Sequence, residues 1–325
     1  MVIHESIVDA IGNTPIVKLK KFRAPLKHNL LAKCEYLNPG GSVKDRIAKH
    51  MIECAEKDGR LKPGGTMIEA TAGNTGIGLA MVAALRGYKL FVVMSQKVSK
   101  DKVRLLERMG AQVVITPSGK PVGDPEHFMS VARTLAEKHD GWLVDQFNNP
   151  DNIKVHYEVT GPEIWEQTEG KIDAIVAGVG TGGTLSGVGK FLKEKKASIK
   201  VVLADPIGSL LADSYDKAHS TPGSYLVEGI GQDFIPGNFL PNLLDAAYRI
   251  SDEESVQAAY DLMNLEGIFV GSSAGCIVAA AARFCDELDG EDKNVLAILP
   301  DGGRAYMSTI YDDSWIAEKL PDLLD

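Results

Sequence analysis

What this chain of 325 residues has little of already narrows its chemistry. It has four cysteines, Cys34, Cys54, Cys276 and Cys285, with no C-x-x-C pair and no histidine cluster at metal-ligand spacing. Cys34 sits in the apolar run Leu30–Tyr36, and Cys276 and Cys285 in an alanine-rich one, so buried, reduced thiols are expected. A disulfide framework, a bound metal and a catalytic thiol are not expected. No apolar stretch approaches the roughly 20 residues of a membrane span. Met1–Ala10 lacks the basic start and apolar core of a signal peptide, so the expected location is cytoplasmic, with no membrane partner. Positive charge is in deficit, 35 Lys and Arg against 44 Asp and Glu, a net −9. Nucleic acids and anionic membranes need a basic face, and this balance argues against both. No low-complexity linker splits the chain; its most irregular loops are Ser118–Pro125 and Ala212–Ser224.

What is present is a regular alternation. Thr66–Ala70, Lys89–Ser95, Gln112–Thr116, Trp142–Gln146, Ile172–Gly178, Lys200–Ala204 and Val295–Leu299 read as short strands rich in Val, Ile and Leu, with helical patterns between them. Thr75–Arg86 and Ser99–Met109 read as helices closed by Gly87 and Gly110. This order predicts an α/β protein with two doubly wound, mostly parallel-sheet domains. The expected division is residues 43–150 as a smaller domain, with 1–42 and 151–325 forming a larger one. Their interface is the expected place for a site.

The segment Asn38–Ile47 places a lysine just inside a helix start. Ser42 is a natural N-cap, and Asp45 three residues on makes a capping-box-like S-x-x-D. Ile47, Met51, Ile52 and Ala55 recur at helical spacing, and Gly59 ends the run. Lys44 then faces the positive end of a helix dipole, where its amine should lose a proton readily and be able to form a Schiff base.

One theme recurs three times: apolar strand, small-residue turn, helix. It occurs at Ile68–Gly78, Ile175–Thr184 and Ile268–Cys276. Each should present backbone N–H groups at a helix N-terminus, where anions bind. The second turn also reads as a dinucleotide fingerprint: Gly178, Gly180 and Gly183 have G-x-G-x-x-G spacing, and Asp205 ends the next strand. Thr181 and Thr184 beside the glycines suit a single phosphate monoester instead. On the residues alone, both readings stand.

Taken together, Gly-Gly-Ser-Val-Lys-Asp-Arg, Thr-Ala-Gly-Asn-Thr-Gly, Gly-Thr-Gly-Gly-Thr, Glu-Gly-Ile-Gly and Gly-Ser-Ser-Ala-Gly resemble, in order, the fold-type II pyridoxal phosphate (PLP) enzymes, tryptophan synthase β-like in fold. Within these the chain resembles the cysteine synthase and cystathionine β-synthase family, from Ile11 to about Trp315. Glu35 and the segments Gly40–Arg46, Val227–Pro236 and Leu299–Met307 look closer to a cystathionine β-synthase catalytic core, which is expected here to work without heme or the regulatory domain pair. Phe147, and Ala72 where that family has serine, depart from that pattern.

The resemblance implies that Lys44 carries PLP and then acts as general base at the substrate α-carbon. It implies that Asn74 bonds the phenolic oxygen, and that Gly180, Thr181, Gly182, Gly183 and Thr184 cradle the phosphate. Ser273 would face the pyridine nitrogen. A serine does not hold the ring protonated as an aspartate would, which favours loss of a β-substituent over transamination. Thr71, Ala72, Gly73 and Thr75, with Gln146 beside them, would receive the substrate carboxylate, and Gly229 would line the mouth. Glu228 and Asp233 read as loop-bracing charges, and no histidine, His156 included, is given a role. The implied activity is β-replacement on serine or O-acetylserine by a thiol, homocysteine giving cystathionine, in a homodimer. The alternatives are sulfide giving cysteine, release of hydrogen sulfide from cysteine, and, in a different class, a dinucleotide-binding protein.

Overall fold

The computed structural model describes residues 3–324 except Ala72, Lys97, Ser99 and Val122. Its strands are β1 (Ile16–Lys18), β2 (Asn29–Cys34), β3 (Thr66–Ala70), β4 (Lys89–Ser95), β5 (Gln112–Thr116), β6 (Trp142–Leu143), β7 (Ala174–Gly178), β8 (Lys200–Pro206), β9 (Ala246–Ile250) and β10 (Asn294–Leu299). Its α-helices are α1 (Lys44–Asp58), α2 (Asn74–Arg86), α3 (Lys100–Arg108), α4 (Phe128–Lys138), α5 (Asp151–Val155), α6 (Gly161–Gln167), α7 (Gly183–Lys195), α8 (Asp213–Asp216), α9 (Asp252–Glu266), α10 (Ser272–Glu287) and α11 (Asp313–Lys319). The chain divides into two compact units: Met1–Ile11 with Asn38–Val155, and Gly12–Leu37 with His156–Asp325.

The first unit is built on a parallel sheet in the order β5-β4-β3-β6. Alternate residues of its central strands go to opposite faces. Met67 and Val92 pack with Ile47, Met51 and Ile52 of α1 and Leu79 and Val82 of α2. Ile68 and Val93 pack with Ala132 and Ala136 of α4. Both faces are thus covered by helices, which is why β3 and β4 read as nearly continuous apolar runs. The predicted strand at Trp142–Gln146 stops at Leu143. Asp145 takes a left-handed backbone conformation (φ +52°), which turns the chain out of the sheet.

The second unit carries a sheet in the order β1-β2-β10-β7-β8-β9. Among the described residues, β1 runs antiparallel to β2 and the other strand pairings of this sheet are parallel. Val176, Val202 and Ala297 pack on the face covered by α10, while Ile175, Leu203 and Leu296 pack on the face that carries Leu185, Val188 and Leu192 of α7. The sequence patterning did not single out β1, β2 or β9. β9 is a sheet edge, and Ala246–Arg249 are half-buried on both faces with only Ile250 buried, so it shows neither alternation nor an apolar run. The third strand–turn–helix theme is corrected as well: before α10 there is no strand, only a single bridge from Val270 to Gly302. Among the described residues no helix is long and apolar enough to cross a membrane.

Candidate active site

Lys44 is the first residue of α1 and is half-buried. The expected capping box at Ser42 is not formed: the N-cap of α1 is Val43, which makes no side-chain cap hydrogen bond. Ser42 Oγ accepts the backbone N–H of Lys44 at 3.2 Å, and the Asp45 carboxylate accepts the N–H of Gly40 at 2.6 Å. The acid therefore ties down the glycine loop before the helix and leaves Lys44 at the helix N-terminus. Helix α2 lies directly against this point. A Cβ on Gly78 would stand 2.8 Å from the Ala48 Cβ and 3.2 Å from the Lys44 carbonyl oxygen, so only glycine lets the two helices approach so closely here. The segment that carries the lysine is fixed by its neighbour's lack of a side chain.

In the same unit the turn from β3 into α2 holds Thr71, Gly73, Asn74 and Thr75; Ala72 lies outside the described residues. Thr71 Oγ1 accepts the N–H of Gly73 at 3.2 Å. Thr75 donates its hydroxyl to Gln146 Oε1 at 2.5 Å, and Gln146 Nε2 donates to the Ala70 carbonyl at 3.1 Å. The backbone of Gln146 is held too, its N–H by Glu69 Oε2 at 3.3 Å and its carbonyl by Asn152 Nδ2 at 2.7 Å. Thr71, Thr75, Gln146, Glu69 and Asn152 are all buried. Burial pushes the Glu69 carboxyl well above the usual carboxylate range. Gln146 thus meets the turn through Thr75, and Glu69 at the base of this network was not anticipated from the sequence. Its signal was faint: one acid inside an otherwise apolar strand.

In the second unit, β7 leads through Val179–Gly182 into α7, a helix of 13 residues. Gly182 is its N-cap at φ +94°, and a Cβ there would sit 2.5 Å from the backbone N of Phe239. A Cβ on Gly180 would collide with the carbonyl oxygen of Gly229, so the predicted mouth glycine packs against the predicted phosphate turn. Thr181 is buried and Thr184 half-buried. Thr184 Oγ1 lies 3.1 Å from His156 Nε2, and His156 Nδ1 lies 3.0 Å from Thr160 Oγ1. His156, given no role on sequence grounds, is 1% exposed and opens a π-helical turn over His156–Thr160. Such turns recur at functional sites, but a single histidine in sequence carries no sign of one.

Ser273 lies in the first turn of α10, 2% exposed, and among the described residues nothing hydrogen-bonds its hydroxyl. Its neighbour Ser272 accepts the N–H of Glu228 at 3.0 Å, tying the Glu228–Gly231 loop to the helix start. Asp233 is exposed. Asp205, the acid of the dinucleotide reading, is fully buried, and its Oδ2 accepts the N–H of Ala212 at 2.8 Å. Burial raises its carboxyl to about 6. It braces its own loop instead of facing a ribose.

The four cysteines form no disulfide; Cys34, Cys276 and Cys285 are buried and Cys54 half-buried. The turn into α7 suits a phosphate dianion. Backbone N–H groups at the start of a 13-residue helix and the hydroxyls of Thr181 and Thr184 match its charge and hydrogen-bonding needs, and Gly180 and Gly182 pack where no Cβ fits.

Comparison with known proteins agrees with this geometry. The family described as "Pyridoxal-phosphate dependent enzyme" matches residues 7–301. The chain is 46% identical to a cystathionine beta-synthase of Apis mellifera over 317 residues, 97% of this chain and 62% of that protein. It thus spans under two thirds of that relative's length. It is 43% identical to cysteine synthase 1 of Emericella nidulans, covering 96% of this chain and 86% of the other. Among solved structures, O-ureido-L-serine synthase superposes with a TM-score of 0.88 at 37% identity, covering 97% of this chain and all of that one.

Proposed function

The chain belongs to the pyridoxal-phosphate-dependent enzymes, and from that premise we propose that it catalyses β-replacement on serine or an O-activated serine. The incoming nucleophile is a thiol, with homocysteine giving cystathionine as the preferred pair. The observation that carries this reading is Lys44 held at the N-terminus of α1, its carbonyl packed under Gly78.

When bound, the cofactor supplies an electron sink conjugated to the amino acid's α-carbon. The chain's own residues do the rest. Gly180–Thr184 would hold the phosphate through helix N–H groups and the Thr181 and Thr184 hydroxyls, with His156 fixing the Thr184 rotor. Asn74 would bond the phenolic oxygen. Ser273 would meet the ring nitrogen with a neutral hydroxyl, which keeps the sink weak and favours departure of a β-substituent. Thr71, Ala72, Gly73 and Thr75 would bind the substrate carboxylate. Gln146 would act one step removed, by orienting Thr75. The Lys44 amine would take the α-proton. The glycines of the Glu228–Gly231 loop would adjust to the incoming thiol, and Phe147 would help set its size. We place the enzyme in the cytoplasm as a homodimer, which light scattering of the purified protein would test.

Product analysis tests the activity. Serine and O-acetylserine are each offered with homocysteine and with sulfide, and products are identified by mass spectrometry. Cystathionine as the dominant product supports the proposal, and the better donor identifies the leaving group. Cysteine as the dominant product makes sulfide the acceptor, and hydrogen sulfide released from cysteine alone reverses the direction. A product with oxygen on the β-carbon, as the name O-ureido-L-serine synthase indicates for that structural neighbour, would replace the thiol with an oxygen nucleophile. No product from any pair would overturn the reading.

A further inference from the structure

Helix α1 carries a second cluster, on residues that the proposed chemistry does not use. His50 and Cys54 are one turn apart, and Asp151, the first residue of α5, completes the group. One donor atom from each lies within 4.8 Å of the others, and all three residues are half-buried, within reach of solvent. We propose that His50, Cys54 and Asp151 form a binding site for a borderline-soft divalent metal ion, with Zn2+ as the representative.

The Cys54 Sγ to His50 Nε2 separation is 3.5 Å. A tetrahedral metal with bonds of about 2.3 Å to sulfur and about 2.05 Å to nitrogen places those atoms about 3.6 Å apart. The pair is therefore already spaced as one edge of such a site, and side-chain rotation brings in the carboxylate. The carboxylate also has outer support. Arg60 Nη2 donates to Asp151 Oδ2 at 2.7 Å, while Arg60 Nε is held by both oxygens of Asp58 at 2.8 and 2.9 Å, and the guanidinium lies over Trp142. The Asp151 N–H is fixed by Asn149 Oδ1 at 3.1 Å. Partners of this kind orient ligating carboxylates in metal proteins.

The donor set selects the metal. Thiolate and imidazole suit Zn2+, Co2+ and Cd2+, whereas Mg2+ and Ca2+ take oxygen ligands. As the metal–sulfur bond forms, the Cys54 thiol proton passes to solvent. Thiolate and carboxylate then balance the two positive charges, and the fourth position is left to water. An occupied site would tie α1, which begins at Lys44, to α5.

The test is titration of the holoenzyme with Co2+, read by the thiolate-to-metal charge-transfer band and by the ligand-field bands of tetrahedral cobalt. The expected result is one equivalent bound per chain, displaced by Zn2+ and untouched by Mg2+. Cys54→Ser should abolish the charge-transfer band and weaken binding at least about 100-fold, beyond what loss of an outer-shell partner costs. His50→Gln should weaken binding similarly and serves if the cysteine variant does not fold. The bound cofactor's absorbance reports folding in each. Cys34, Cys276 and Cys285 are buried, so a thiolate band that persists in Cys54→Ser would mean another site and would overturn the proposal. So would a parent protein that gives no such band, or two variants that bind Co2+ as tightly as the parent.

Discussion

The two turns that open α2 and α7 share a plan, strand into small-residue turn into a helix of 13 residues, yet they are held by different physics. The turn into α2 is held by buried polar side chains: Thr71, Thr75 and Gln146, with Glu69 beneath them. The turn into α7 is held largely by shape, with Gly182 against the backbone at Phe239 and Gly180 against that of Gly229, and by polar grips that include His156 on Thr184 and Gln232 Nε2 donating to the Gly180 carbonyl at 3.1 Å. A resident dianion suits the second arrangement, because a backbone cradle is rigid and needs no reorganisation. A substrate that comes and goes suits the first, where side-chain hydrogen bonds give both affinity and selectivity.

That contrast can be broken from either side. Gly182→Ala should do most damage, since it combines a left-handed backbone with a clash at Phe239, at about 2–5 kcal/mol. The expected readout is cofactor loss on dialysis and a lowered melting temperature; a variant that keeps both at parental values would deny that shape holds this turn. Gln146→Ala removes the partner of Thr75, a loss of about 1.5–3 kcal/mol. The expected result is a rise of roughly 10- to 100-fold in KM for the amino acid, with cofactor affinity unchanged. Weakened cofactor binding instead would erase the proposed division of labour.

Glu69→Gln sharpens the comparison by pH. Burial raises the folded carboxyl above its unfolded value of about 4.3. The folded chain then binds the proton more tightly than the unfolded chain. Its stability is full below that unfolded value and falls as pH rises toward the folded one. Glutamine cannot ionise, so the variant should gain stability relative to the parent as pH rises above about 4.3, the range in which the parent's buried carboxyl loses its proton on unfolding. A pH-independent difference in denaturation midpoint would show that Glu69 does not titrate in this window.

Much of this was legible in the sequence, because parallel strands covered on both faces are apolar along their whole length. β3, β4 and β5 have the residues predicted for them. What failed were elements whose identity depends on neighbours far along the chain. β9 is an edge strand that the local pattern does not mark, and β6 is cut short by a left-handed residue, Asp145. At the site, a helix starting close to Lys44 was legible from the apolar spacing that follows it, although the N-cap is Val43 and not the expected Ser42. His156 beside Thr184 and Glu69 beside Gln146 join residues 28 and 77 positions apart, and no local signal carries such pairings. The metal-ligand cluster divides the same way. His50 and Cys54 are a readable one-turn pair that is neither a C-x-x-C motif nor a histidine cluster, whereas Asp151 reaches them through the packing of α5 on α1.

The central claim is that Lys44 is the residue that carries the cofactor. Borohydride reduction of the purified holoenzyme, followed by proteolysis and peptide mass mapping, tests it directly. The account predicts a pyridoxyl adduct on the peptide that contains Lys44, absent from Lys44→Ala, which should also lose turnover. An adduct on another lysine, or β-replacement surviving in Lys44→Ala, would contradict it.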